Sequence, residues 1–134
     1  YPKAIKEAKR YIKKHNKQAL KLNKPLVLEE FGISRDLNDH NWEANTNYRD
    51  KYFAFIFDSC LKSVEKQKAL VGCNFWAYGG SGRPSSPKSV WYPGDDLIGD
   101  PPHEFQGWYS VYDIDKSTLD LIQAYSRRIK QSVK

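Results

Sequence analysis

Lys24-Pro25-Leu26-Val27-Leu28-Glu29-Glu30-Phe31-Gly32 reads as a short apolar strand ending in two carboxylates, an aromatic and a glycine. Pro25 suits the first residue of a strand, where a missing N–H matters least. Leu26, Val27 and Leu28 form the continuous apolar run of a parallel strand covered on both faces. Successive strand side chains point to opposite faces, so of the two acids only Glu30 shares the face of Leu26 and Leu28. A half-buried carboxylate is costly unless it is paired or used. Gly32 is expected to let the chain turn sharply off the strand end. Two readings stand at this point. The acids are solvated groups at a strand rim, or one is a catalytic carboxylate at the carboxyl end of a barrel strand, where barrel enzymes keep their chemistry.

Before this stretch, Pro2 to Leu22 reads as a helix, with Ala4, Ile5, Ala8, Tyr11, Ile12, Ala19 and Leu22 recurring at helical spacing. Asn23 is its expected stop. After it comes a polar loop, Ile33 to Thr46. His40 in this loop has no partner at metal-ligand spacing and reads as a loop histidine. Trp42 reads equally as a local anchor or as a stacking surface. From Asn47 to Gln67 the pattern is helical again, with Tyr52, Phe53, Ile56, Phe57, Cys60, Leu61 and Val64 forming a broad apolar stripe. A second strand is expected from Leu70 to Tyr78, broken by Gly79-Gly80-Ser81-Gly82.

Gly79 to Gly107 has no regular period and is rich in Pro, Gly, Ser and Asp. Loops this long in compact domains tend to be functional. Asp95, Asp96 and Asp100 do not follow an EF-hand loop, so neither a metal nor a cofactor is expected. Ser110 to Tyr112 is strand-like, and a last amphipathic helix runs to about Ser132 on Leu119, Leu121, Ile122, Tyr125 and Ile129.

Helix, strand, helix, strand, long loop, helix is an α/β order, implying parallel strands joined by right-handed crossovers. Two parallel strands alone leave two open edges and an uncovered face. Residues 1–134 therefore read as one partial domain, the last portion of a larger α/β barrel. Tyr1 is not a natural start residue, so a mature form or a piece of a longer chain is expected.

Composition agrees with a folded chain: 40% apolar residues, with four Trp, nine Tyr and six Phe. The net charge of +6 raises nucleic acid as a partner, but no recognised nucleic-acid motif appears. The lysines, taken as interleaved with acids along the helical stretches, read as solvated helix surface. No apolar run approaches the roughly 20 residues of a membrane span. Two cysteines are too few for a disulfide framework, and Cys60 and Cys73 read as buried thiols.

Lys24 to Gly32, followed by Phe75-Trp76-Ala77-Tyr78 and by Trp91-Tyr92-Pro93-Gly94-Asp95-Asp96 on to Gly107, resembles the C-terminal part of the endo-β-1,4-mannanases of glycoside hydrolase family 5. The likeness covers essentially the whole chain in order and spacing. It implies a (β/α)8 barrel of the TIM type, with Leu26 to Glu30 as strand seven and Leu70 to Tyr78 as strand eight. In that family the acid directly before the aromatic-glycine pair is the nucleophile, which falls on Glu30. Trp76 corresponds to the platform under the sugar at the cleavage point, and Trp42 is a second candidate for sugar contact. The family's acid/base glutamate, which follows an asparagine, has no counterpart, since no Asn-Glu pair occurs in these residues.

The resemblance implies β-mannan or manno-oligosaccharide as substrate, a secreted or periplasmic location, and a chain inactive by itself. It also implies that the missing barrel strands, or self-association, complete the fold. A mannan-binding piece without cleavage and a β-1,4-glucanase of the same family are the alternatives.

Overall fold

The computed structural model describes residues 1–132. Helix α1 (Pro2–Lys21) opens with proline in its first turn, where the missing N–H is harmless. Strand β1 (Leu26–Phe31) follows, then a short 3-10 turn (Asp36–Asn38) and helix α2 (Asn47–Glu65). Strand β2 (Leu70–Phe75), two short strands β3 (Tyr78–Gly80) and β4 (Val111–Tyr112), and helix α3 (Lys116–Ser132) complete the order.

β1 and β2 lie parallel, with Leu26 opposite Leu70, Leu28 opposite Cys73 and Phe31 opposite Phe75; α2 is the crossover between them. The core centres on Phe31, Phe53, Ile56, Phe57 and Val111, with Leu119, Ile122 and Tyr125 of α3 packed against it. Phe31 meets Phe53 and Phe57 edge-on, at centroid separations of 5.1 and 5.5 Å. Each such ring stabilises the fold by roughly 1.5–3 kcal/mol through burial alone. The described residues form a partial α/β unit with α2 and α3 packed together, and they close no barrel.

Three expectations need correction. The second strand does not run unbroken from Leu70 to Tyr78. It ends at Phe75, and the chain is drawn away to pair Tyr78–Gly80 in parallel with Val111–Tyr112, a pairing that the Val111 N–H bond to the Ala77 carbonyl (2.8 Å) begins. Strict alternation also fails along β1. A register shift lies between Leu28 and Phe31, both of which pack on the core, so two residues rather than one separate them on that face. Glu29 and Glu30 are both exposed, and alternation from Leu26 and Leu28 does not single out Glu30.

The third correction concerns charge. Nine of the 22 basic residues but only one of the 16 acids, Glu7, lie in positions 1–24. This segment carries +8 and the rest of the chain −2, so α1 is not interleaved with acids. Five like-charged pairs sit four residues apart on it: Lys6–Arg10, Lys9–Lys13, Arg10–Lys14, Lys13–Lys17 and Lys17–Lys21. Each destabilises a helix by about 0.2–0.5 kcal/mol.

Cys60 is buried and Cys73 half-buried, both free. Their thiols meet between α2 and β2, and the hydrogen bond between them lowers the pKa of Cys60 and raises that of Cys73. Among the described residues no helix is long and apolar enough to cross a membrane.

Candidate active site at the strand ends

Because β1 and β2 are parallel, their carboxyl ends lie at the same end of the sheet. The last pair is Phe31 and Phe75. The Trp76 N–H extends it by donating to the Phe31 carbonyl at 2.8 Å. Glu30 and Trp76 thus each stand one residue from that pair, on adjacent strand ends. Phe31 anchors the first side by its buried ring, while Phe75 packs its own ring against Phe53 at 5.7 Å. Glu30 is exposed, and its backbone occupies the left-handed region at φ 55°. Such a conformation in a residue with a side chain costs on the order of 1–3 kcal/mol and is concentrated at functional sites. Trp76 is half-buried.

Gly32 serves this arrangement by being small rather than by turning freely, which corrects the sequence expectation. A Cβ there would lie 2.7 Å from the Trp76 carbonyl oxygen and 3.4 Å from Cδ1 of Tyr109. The two strand ends and Tyr109 close on a backbone that has no room for a side chain.

Tyr109 was not evident from sequence. Its ring stacks on Trp108 at 5.0 Å and 13°, and its N–H donates to Asp100 at 2.7 Å. Asp100 is buried and also accepts from the Gly107 N–H at 2.9 Å and the Ser110 hydroxyl at 2.6 Å. Burial raises the pKa of the Tyr109 phenol, and the charges of Glu104 and Asp100 push it the same way. Trp108 reaches back to the first loop, donating through Nε1 to Asn38 at 3.0 Å. His40 packs between Phe105 and Trp108, at 5.7 Å from each. The loop after β1 and the long segment before β4 are thereby locked together above the strand ends. The only sequence trace of this is the run Gly107-Trp108-Tyr109.

Trp42 packs against Arg83. The Arg83 guanidinium lies 5.2 Å from its ring, and Arg83 also covers Tyr112 at 4.7 Å and pairs with Asp113 at 2.6 Å. Trp42 lines a depression with Arg35, Asp50, Asp115 and Lys116 at the start of α2 and α3. The loop acids are used within the loop. Asp95 accepts from the Ser85 hydroxyl and the Tyr92 N–H, which hold its carboxyl below the usual range, and Asp96 accepts from the Arg83 N–H at 3.0 Å. Among the described residues no three His, Cys, Asp or Glu side chains are grouped to hold a metal ion.

An exposed carboxylate and a half-buried tryptophan thus stand at the carboxyl ends of neighbouring parallel strands, the place where α/β-barrel enzymes keep their active sites. The family model described as GH family 5 beta-mannosidase-like matches residues 1–134, and the chain belongs to that family. Over 77 residues it is 30% identical to mannan endo-1,4-beta-mannosidase 5 of Arabidopsis thaliana, a match covering 57% of this chain and 17% of that protein. Its structure superposes on the crystal structure of a glycoside hydrolase family 5 mannosidase from Rhizomucor miehei with a TM-score of 0.86 and 34% identity, covering 98% of this chain and 32% of that one. A mutant of that enzyme in complex with mannosyl-fructose gives a TM-score of 0.84 at 33% identity, again covering 98% of this chain and 32% of that one. The chain thus spans about a third of the solved relatives and under a fifth of the curated one.

Proposed function

We propose that these residues form the nucleophile end of a retaining endo-β-1,4-mannanase, with β1 and β2 as the seventh and eighth strands of a (β/α)8 barrel. Glu30 attacks the anomeric carbon to form a glycosyl-enzyme intermediate, which water then hydrolyses. Trp76 lies under the sugar and offers its flat apolar ring to the C–H face of a pyranose. The acid/base carboxylate, required roughly 5 Å from the nucleophile, is supplied by residues outside these 134. Without it, protonation assistance of roughly 10²–10⁴-fold is lost, and the chain by itself is inactive on mannan. Export from the cell brings such an enzyme to its polymeric substrate.

The observation that carries this reading is the placing of Glu30 and Trp76 on adjacent parallel strand ends in a chain of this family. The test is reducing-sugar release from linear β-1,4-mannan by the 134-residue chain and by a barrel that includes the earlier strands, each with and without Glu30→Gln. The expected result is release from the barrel alone, reduced to background by the substitution. Release from the 134-residue chain that vanishes with Glu30→Gln would place the second acid within these residues. Undiminished turnover in the substituted barrel would remove Glu30 from the role.

A further inference from the structure

The charge on α1 is ordered. At 100° per residue, all eight of its basic side chains (Lys3, Lys6, Lys9, Arg10, Lys13, Lys14, Lys17 and Lys21) fall within an arc of about 140°. The only acid of the helix, Glu7, lies just outside that arc. Ala8 and Ile12 occupy the opposite side and pack against the core. All eight cations are exposed, and none forms an ion pair among the described residues. From Lys3 to Lys21 the stripe is about 27 Å long at 1.5 Å per residue. It is also unfavourable to the helix that bears it. Like charges stand four residues apart five times over, and the first turn holds no acid to complement the positive end of the helix dipole. Interspersed acids would give the same solubility without that repulsion.

We propose that this outer face of α1 docks a linear polyanionic polysaccharide, a polyuronate whose carboxylates meet the lysine stripe. Seven of the eight cations are lysines, compact hydrated point charges that meet anionic groups along a flexible chain without the fixed bidentate geometry of arginine, and the chain carries no recognised nucleic-acid motif. A bilayer-surface helix needs an apolar face free to enter the lipid, whereas Ala8 and Ile12 are spent on the core. Tyr11 falls about 60° beyond the edge of the arc, is 54% exposed with its ring against His15 at 3.9 Å, and supplies a flat ring for a pyranose. The Tyr1 ring lies 5.1 Å from Tyr48 at the start of α2. The stripe therefore begins at the end of the molecule that holds Glu30 and runs away from it, so that surface and strand-end site are occupied independently.

The experiment is titration of the chain with polygalacturonate at several salt concentrations. Duplex DNA and phosphatidylserine vesicles are the competing polyanions, and neutral dextran is the blank. Tight binding of polygalacturonate is expected, weakening at least tenfold between about 50 and 200 mM salt through counterion release. Lys9, Lys13 and Lys17→Gln should cost at least tenfold in affinity while leaving the melting temperature unchanged or higher, since three repulsive pairs disappear. Lys66, Lys68 and Lys116→Gln, with the same loss of charge, should bind as the parent does. No binding of polygalacturonate, equal losses from the two triple variants, or tighter binding of DNA or vesicles would each overturn the proposal. None of these readouts depends on Glu30 or on turnover.

Discussion

His40 shows how far one side chain's role escapes its own sequence. It is 2% exposed, and its Nδ1 has no partner among the described residues. The backbone of Gly107 comes so close that a Cβ there would lie 2.5 Å from the His40 carbonyl oxygen. Burial lowers the imidazole pKa below 6.5, Lys88 adds to the effect, and Asp100 and Asp39 only oppose it in part. A folded-state pKa below the unfolded value means that the unfolded chain takes up the proton first. This contribution to stability is therefore present above about pH 6.5 and is lost as pH falls below it. Thermal melts of the parent and His40→Gln should show a stability gap that narrows between pH 7 and pH 5. A gap independent of pH would mean that the imidazole is not held neutral by its surroundings. Sequence placed His40 in a loop correctly but left its burial hidden, because Phe105 and Trp108 come some 65 residues later. The neighbours Phe31 and Gly32 drew attention to Glu30 in the sequence, whereas the bulge that exposes it was not legible there.

At the scale of elements, the helices were the most legible part, since a stripe such as Phe53, Ile56, Phe57 and Cys60 reports its own period. Joints between elements were not legible, because they depend on polar groups distant in sequence. The chief one is Asp115, just ahead of α3. It pairs with Arg35 at 2.7 Å and approaches Arg49 at 3.5 Å, all three being buried, and it accepts from the Tyr112 N–H at 2.9 Å. Arg49 also donates to the Ser110 carbonyl at 2.8 Å. Burial, reinforced by Arg35, pulls Arg49 down to about 10. One carboxylate thus joins the loop after β1, the first turn of α2, β4 and the start of α3. Asp115→Ala would strand two guanidiniums in the interior and should cost about 3–5 kcal/mol, read as a drop in the denaturant midpoint. Asp113→Ala, which removes a partly exposed pair with Arg83, should cost well under half as much. Similar losses from the two would show that the buried cluster is not the joint.

For the whole molecule, the unfinished sheet is the governing fact. Helices α2 and α3 pack on the side of β1 and β2 that carries Leu28, Phe31, Cys73 and Phe75. Val27 is turned away from that side, 47% exposed with its methyl groups over Gly72, and the Glu29 and Asn74 side chains are also exposed. A parallel pair needs cover on both faces, and a two-stranded sheet is marginal in water. Exposed apolar strand surface beside open edges recruits another chain. The 134-residue chain, 15.6 kDa, should therefore sediment as species heavier than a monomer at micromolar concentration. Val27→Lys places a charge at the middle of that face and should shift the distribution toward monomer while leaving the far-ultraviolet circular dichroism intact. Self-association through the sheet face is also compatible with the basic stripe, because α1 presents its lysines on the side opposite to the core. A parent chain that sediments as a monomer and melts cooperatively would show that two strands and three helices suffice, and the need for further barrel strands to stabilise the fold would fall with it.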